Sequence, residues 1–342
     1  MITQLKEGKW HLEDDTGSVQ LDLSRANFHT GLFTECCFVL AEGWYEDGIF
    51  HANAFGLPPA ERAADTRAIF GDVNFFGGPL QTCARSHEKL VKYENENDAN
   101  MFVFISDVWL DDLNVIKKLR VLFEGFVEAP PYCFVLIGSF LSKSYGVRQS
   151  QVFVDCLKGL TDLVCEHQPL AKESRFVFVP SLSDIGPAQI LPRPPIPECL
   201  TEYAREKLTQ CSFASNPCRI QYCSQEMVIF REDLVMRMCR NCVRFPTDAH
   251  LPTHFSKTIV AQAHLCPLPL HVEPVFWAHD DALRLYPLPD LIVCADKYDP
   301  YKEEQLGCNV INPGSFPRSD WSFKCYVPAQ RLIEDSQILE PS

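Results

Sequence analysis

The clearest pattern in the chain is the stretch MFVFISDVWLDDLNVIKKLRVLF, Met101 to Phe123. Its first half is a block of apolar, partly β-branched residues ending at Ser106-Asp107. Its second half repeats Leu113, Ile116, Leu119, Leu122 and Phe123 at helical spacing. This predicts a strand that runs directly into a helix. Such a βα unit opens an α/β sheet, whose strand carboxyl ends usually carry the chemistry, and Asp107 stands at that end.

The alternation continues down the chain. YCFVLIG (Tyr132–Gly138) reads as a strand, Gln149 to Glu166 as a helix, and RFVFVP (Arg175–Pro180) as a strand. The rigid loop ILPRPPIP follows, and its polyproline character could also serve a partner. A short helix is predicted around Leu200–Leu208, with strands near Arg219-Ile220 and Glu226–Phe230. Then come a helix from Glu232 to about Val243 and apolar runs at Thr258–Leu265, Leu291–Ala295 and Phe323–Val327. The β-rich second half predicts two packed sheets.

Ahead of residue 62 the pattern is all-β. WHLEDDTGSVQLDL (Trp10–Leu23) reads as strand, turn, strand, and Phe38–Phe55 as a strand pair around Glu46-Asp47-Gly48. Short strands with tight turns suit a small barrel of the OB type. The first strand begins almost at Met1, so the expectation is a barrel short of its opening strand, from a fragment or an alternative start. The expected division is 1–62 barrel, 63–100 connecting segment with an exposed loop at Glu94–Asn100, and 101–342 α/β domain.

Composition narrows the function. No run of eighteen apolar residues occurs, and MITQLKEGKW lacks the apolar core of a signal peptide, so a soluble, intracellular chain is expected. The formal charge is −14, from 31 Lys+Arg against 45 Asp+Glu. That balance argues against gripping DNA unaided, because Lys and Arg contacts to phosphates supply most non-specific affinity. Trp10, Phe28, Trp44, Tyr45 and Phe50 would give the barrel aromatic platforms for a single strand. The cations do not accompany them, since residues 1–62 hold only Lys6, Lys9, Arg25 and Arg62. No phosphate-binding P-loop sequence occurs.

The 16 cysteines, without a secretory signal, read as buried thiols rather than a disulfide framework. Cys218, Cys223, Cys239 and Cys242 have a spacing near that of zinc ribbons. Against zinc, the first two are predicted on opposite faces of a strand and the last two on an apolar helix face, so buried thiols are preferred.

Two-metal phosphoesterases of the calcineurin type carry D-x-H, G-D, G-N-H, a lone His and G-H-x-H in that order, followed by an I-N-P-G-S strand. The order serves the chemistry, because two close cations need bridging carboxylates and several imidazoles. The chain resembles that framework with its ligands replaced. SDVW keeps Asp107 but places Trp109 where the histidine should be, and IGSF places Ser139 at the bridging aspartate. VPSLSD has neither Asn nor His, and ADKY puts Asp296, Lys297 and Tyr298 where G-H-x-H is expected. INPGSFPR keeps the last strand signature. Asp107, His264 and Asp296 are too few for a binuclear site, so the resemblance implies an inactive phosphoesterase-like α/β sandwich with no catalytic residue, no metal and no cofactor.

A barrel ahead of a degraded phosphoesterase domain resembles the B-subunit family of replicative DNA polymerases, in its epsilon branch. The matching stretches are MITQLKEGKW, FVLAEGWYEDGIFHANAFGLPP, FVFISDVWLDD, NPCRIQYCSQEMVIFREDL, ALRLYPLPDLIVCADKYDPY and INPGSFPR. The resemblance implies a mixed α/β (α+β overall) chain acting as a non-catalytic accessory subunit in the nucleus. Its implied partners are the cysteine-rich C-terminal region of the catalytic subunit of DNA polymerase epsilon, the other subunits and the replisome. DNA would be contacted mainly through the complex, and no membrane is involved. Members also carry a helical amino-terminal domain to which nothing here corresponds. The candidate interface segments are Ser315–Trp321 and Leu285–Pro289. A metal-dependent phosphoesterase and a single-strand-binding OB protein are the rival readings.

Overall fold

The structure is a computed structural model that describes residues 1–187, 189–247 and 250–339. It divides into two compact units that interleave along the chain. The first takes Met1–Gly71, Leu234–Leu288 and Glu303–Asn309; the second takes Asp72–Asp233, Pro289–Lys302 and Val310–Ser342.

The first unit begins with β1 (Ile2–Lys6), β2 (Lys9–Asp14), β3 (Gly17–Asp22), β4 (Asn27–Phe28), β5 (Leu40–Glu46) and β6 (Ile49–Gly56). The order is β1-β2-β3-β6-β4, with β5 on the other side of β6. The turn between β2 and β3 is fixed by Asp14, whose Oδ1 accepts from the Thr16 N–H at 2.8 Å and the Gly17 N–H at 3.2 Å. Between β5 and β6, Asp47 and Gly48 both have positive φ (48° and 82°), as a two-residue hairpin turn needs. Gly43 sits at a bulge in β5, where a Cβ would lie 2.1 Å from the His51 carbonyl oxygen. Ile2, Leu21, Phe33, Ala52 and Phe55 belong to one buried apolar cluster of this unit.

Residues 63–100 are more regular than the sequence suggests, with α1 (Ala63–Phe70) in the first unit and α2 (Glu88–Glu96) in the second. The expected exposed loop at Glu94–Asn100 is partly α2, and Glu94 is buried. Its carboxylate accepts from the Ser224 N–H at 3.0 Å, the Ser224 hydroxyl at 2.7 Å and the Gln225 side-chain amide at 2.9 Å. An acid that faces inward to three donors from a distant turn has no signature in a polar stretch.

The second unit continues with β7 (Phe102–Ser106), α3 (Leu113–Gly125), β8 (Cys133–Ile137), α4 (Gln149–Glu166), α5 (Gln168–Glu173), β9 (Arg175–Val179), α6 (Glu202–Lys207) and β10 (Cys211–Phe213). After these come β11 (Cys218–Tyr222) and β12 (Gln225–Arg231). The first unit then takes α7 (Val235–Arg240), half the predicted length, and α8 (Leu251–Ala261), which absorbs much of the Thr258–Leu265 run. The last strands are β13 (Leu291–Ala295), β14 (Tyr301–Gln305), β15 (Cys308–Asn312), β16 (Ser322–Val327) and β17 (Leu332–Gln337).

One sheet runs β10-β9-β8-β7-β16-β17, with β7 to β10 parallel and β16 antiparallel to β7. A second contains β11, β12 and β13 in that order, β12 parallel to β13. Every residue of β7 and β8 is buried because both faces of the first sheet are covered. Val103, Ile105, Phe134 and Leu136 face α3 and α4, packing on Leu119, Phe123, Leu157 and Leu160. Phe102, Phe104, Val135 and Ile137 point the other way, onto Met227, Ile229, Leu291 and Val293 of the second sheet. The result is the two-sheet α/β sandwich that the sequence predicted. Among the described residues, no helix is long and apolar enough to cross a membrane.

Leu136 is fully buried on the helix-facing side of β8. Leu136→Ala should cost about 2–5 kcal/mol of stability, measured as a lower denaturation midpoint at unchanged slope.

Candidate functional site

The parallel strands of the first sheet end together, and a cleft of about 410 Å³ opens over their carboxyl ends. Its lining includes Asp107 after β7, Ser139 after β8, Ser183 and Asp184 after β9, and Lys297 after β13. Trp109, Lys143 and Arg318 also border it. Asp107, Trp109 and Ser139, three of the positions singled out in the sequence, all line this cleft.

Asp107 is buried and has a positive φ of 57°, a conformation that Asp and Asn tolerate better than most side chains. Its Oδ1 accepts from the Arg231 guanidinium at 2.9 Å and from the Ser139 N–H at 3.1 Å. Its Oδ2 is buried with no hydrogen-bond partner. Arg231, at the end of β12, also donates to the Gly138 carbonyl at 2.7 Å, to Asp233 at 2.7 Å and to the Ala295 carbonyl at 3.3 Å. Asp233 in turn meets the Lys297 ammonium at 2.7 Å. Four charges of alternating sign, Asp107, Arg231, Asp233 and Lys297, therefore run across the strand ends and sum to zero.

Burial opposes the charge on Arg231, but Asp107 and Asp233 outweigh it and raise the guanidinium pKa further. Burial likewise opposes ionisation of Asp233, yet Arg231 and Lys297 hold its carboxyl down at about 2. Sequence reasoning missed Arg231 and Asp233, because a lone arginine at a strand end has no motif.

On the far side of the cleft, the Ser139, Ser181 and Ser183 hydroxyls form a triangle with edges of 2.8–3.0 Å. Ser181 donates to Asp184 Oδ2 at 2.9 Å. Asp184 is buried, which raises its pKa, although its two oxygens accept from the Phe140 and Ser181 N–H groups, both at 2.7 Å. This packing needs Gly138, where a Cβ would lie 2.0 Å from Asp184 Oδ2.

The other candidates have local roles. Asp296 is buried, and its Oδ1 accepts from the Tyr298 N–H at 2.8 Å. The Asp296 N–H donates to Asn312 Oδ1 at 3.1 Å, and the Asn312 side-chain amide donates to the Tyr298 carbonyl at 2.8 Å. These bonds tie the turn after β13 to β15. His264 belongs to the first unit, where its Nδ1 accepts from the Cys266 N–H at 3.0 Å and its Nε2 lies 3.1 Å from Asp280. Burial lowers its pKa, and this pairing makes Nε2 the protonated nitrogen. Among the described residues, no three or more His, Cys, Asp or Glu side chains come together so as to hold a metal ion.

None of the four candidate zinc cysteines is in a disulfide. Cys218 lies in β11, where burial pushes its thiol up to about 12, and Cys223 lies in the turn after that strand, with φ 49°. Cys239 lies within α7, whereas Cys242 falls beyond its end and donates to the Cys239 carbonyl at 3.0 Å. Of the candidate interface segments, Ser315–Trp321 contains the fully buried Phe316, edge-on to Trp321 at 5.4 Å. In Leu285–Pro289, Leu285 and Leu288 are buried and Tyr286 is exposed.

Comparison with known proteins adds the family. Residues 102–303 match the family of the DNA polymerase alpha/epsilon B-subunit, and residues 1–59 match the OB-fold domain described as DNA polymerase epsilon subunit 2-like. The chain is 57% identical over 339 residues to DNA polymerase epsilon subunit 2 of Homo sapiens, covering 99% of this chain and 64% of that protein. It is 45% identical to the subunit 2 of Drosophila melanogaster, with the same coverage. The chain thus spans about two-thirds of the length of these curated relatives. A solved archaeal phosphodiesterase superposes over 70% of this chain and 99% of its own, at 10% identity and a TM-score of 0.38.

Two outcomes test the charge chain. Arg231→Met leaves Asp107 buried without its counter-ion and should cost about 3–5 kcal/mol; adding Asp107→Asn should recover part of that loss in the same denaturation assay. Asp233, held low in the folded state, contributes stability that is present above its unfolded pKa near ~3.9 and is lost as pH falls toward about 2. The stability difference between wild type and Asp233→Asn should therefore shrink across that window.

Proposed function

The chain belongs to the B-subunit family of DNA polymerases alpha and epsilon, and on that premise we propose that it acts as a non-catalytic accessory subunit of DNA polymerase epsilon. In this reading it binds the cysteine-rich C-terminal region of the catalytic subunit and serves DNA replication in the nucleus. Residues 1–62 are the OB-type barrel, 63–100 the connecting segment, and 101–342 an inactive phosphoesterase-like domain. DNA is met mainly through the complex, and function lies in shape and surface rather than in turnover.

The observation that carries the absence of catalysis is the partner of Asp107. A two-metal hydrolase needs its strand-end carboxylates free to bridge cations. Here Asp107 accepts from a buried guanidinium instead, at 2.9 Å, and a permanently charged side chain balances the carboxylate. Ser139, where a bridging acid would stand, is bound into the serine triangle. Trp109 and Tyr298 stand at positions where the phosphoesterase pattern has histidines, and neither supplies an imidazole.

Co-expression with the catalytic subunit of DNA polymerase epsilon should give one complex of equal stoichiometry on gel filtration. The same purified chain with manganese and a phosphodiester substrate should show no hydrolysis above the protein-free control. Separate elution would remove the subunit assignment; hydrolysis abolished by Asp107→Asn would make the chain an enzyme.

A further inference from the structure

We propose that the outward face of β5, centred on Trp44, binds an extended, arginine-bearing segment of a partner protein. The inference goes beyond the accessory-subunit reading and does not depend on it. It rests on an exposed indole set between two carboxylates that pair with no cation among the described residues.

Strand alternation fixes the two faces of this sheet. Leu21 of β3 and Phe50 and Ala52 of β6 pack in the buried apolar cluster, so their neighbours Asp22 and His51 point outward. Register places His51 opposite both Asp22 and Trp44. The His51 ring stacks on the Trp44 indole, with 5.0 Å between centroids and 16° between planes, and its Nδ1 lies 2.9 Å from Asp22 Oδ2. The Trp44 Nε1–H donates to Glu46 at 3.3 Å. Leu40, Glu42, Trp44 and Glu46 therefore share the outward face of β5. All four are exposed, Leu40 by 58% and Trp44 by 40%. An indole held in place by a stacked ring, yet open to solvent, attracts a cation through its π-face.

The charge around the ring selects the occupant. Residues 1–62 hold ten Asp and Glu against four Lys and Arg. Asp22, its carboxyl held down at about 2 by hydrogen bonds from Ser24 and by His51, is engaged by that histidine. Glu42 and Glu46 have no such partner. Lys9, on the same face of β2, lies three strands away from β5 and donates to Gln20 at 3.4 Å. The phosphates of a nucleic-acid strand would be repelled here, whereas a guanidinium can stack on an indole and also pair with a carboxylate. Side chains two residues apart on a strand stand about 7 Å from each other, so Glu42, Trp44 and Glu46 offer three contact points along one line. That spacing matches an extended segment with arginines at alternate positions, whose side chains on one face repeat at the same interval.

The test is titration calorimetry on the full chain at low ionic strength, with a capped Arg-Ser-Arg-Ser-Arg peptide, the same peptide with glutamate for arginine, and a short oligothymidylate as separate probes. The arginine peptide should bind saturably and more weakly as salt is added, and the other two probes should not bind. Trp44→Ala should lower the affinity about fivefold, while Trp44→Phe, which keeps an aromatic face, should retain most of it. Glu42→Gln/Glu46→Gln should also lower the affinity about fivefold. Both of these glutamates are exposed, so the melting temperature of that variant should match wild type and confirm that it folds. Absence of saturable binding by the arginine peptide, or an unchanged affinity in Trp44→Ala or in the double variant, would overturn the proposal. Binding of the oligothymidylate that is lost in Trp44→Ala would overturn it in favour of a nucleic-acid face.

Discussion

The buried pair of Asp107 and Arg231 is the constraint on which the second unit's strand ends depend. Taking a carboxylate and a guanidinium out of water costs several kcal/mol each. The pair persists because each ion is tied to further partners. Arg231 reaches the Gly138 and Ala295 carbonyls as well as two carboxylates, and so joins β8 in one sheet to β12 and β13 in the other. A planar guanidinium with five donors can make that set of contacts, whereas a lysine ammonium could not. The residue that neutralises the strand-end acid is therefore also the residue that ties the two sheets together.

This arrangement separates fold from chemistry. The two apolar faces of the first sheet are independent of any metal, since α3 and α4 cover one and the second sheet covers the other. A strand-end carboxylate can exchange a diffusible counter-ion for a covalently attached one while that core stays in place. The cleft above the strand ends is lined mainly by polar side chains, among them Ser139, Ser142, Ser183, Gln149 and Lys297.

The local pattern of apolar residues was enough to find the central strands and α4 to within a residue or two, because a strand buried on both faces must be apolar at every position and an amphipathic helix must repeat. Asp107, Trp109 and Ser139 come shortly after the ends of strands that the pattern fixes, and all three line the cleft. The helices between residues 63 and 96 escaped that pattern. α2 is held through Glu94 by donors about 130 residues away, and polarity alone cannot distinguish an inward acid from a solvated one.

The sequence by itself determined which segments must be buried, and so where the parallel strands end and which side chains stand at those ends. Only the tertiary structure decided what those side chains face. Arg231 meets Asp107 across 124 positions of chain, and Ser139 meets Ser183 across 44. His264, a candidate ligand in the sequence, spends both ring nitrogens on local partners. Burial is written residue by residue in hydrophobicity, whereas the partner of a charge is set by the folding of distant strands into register.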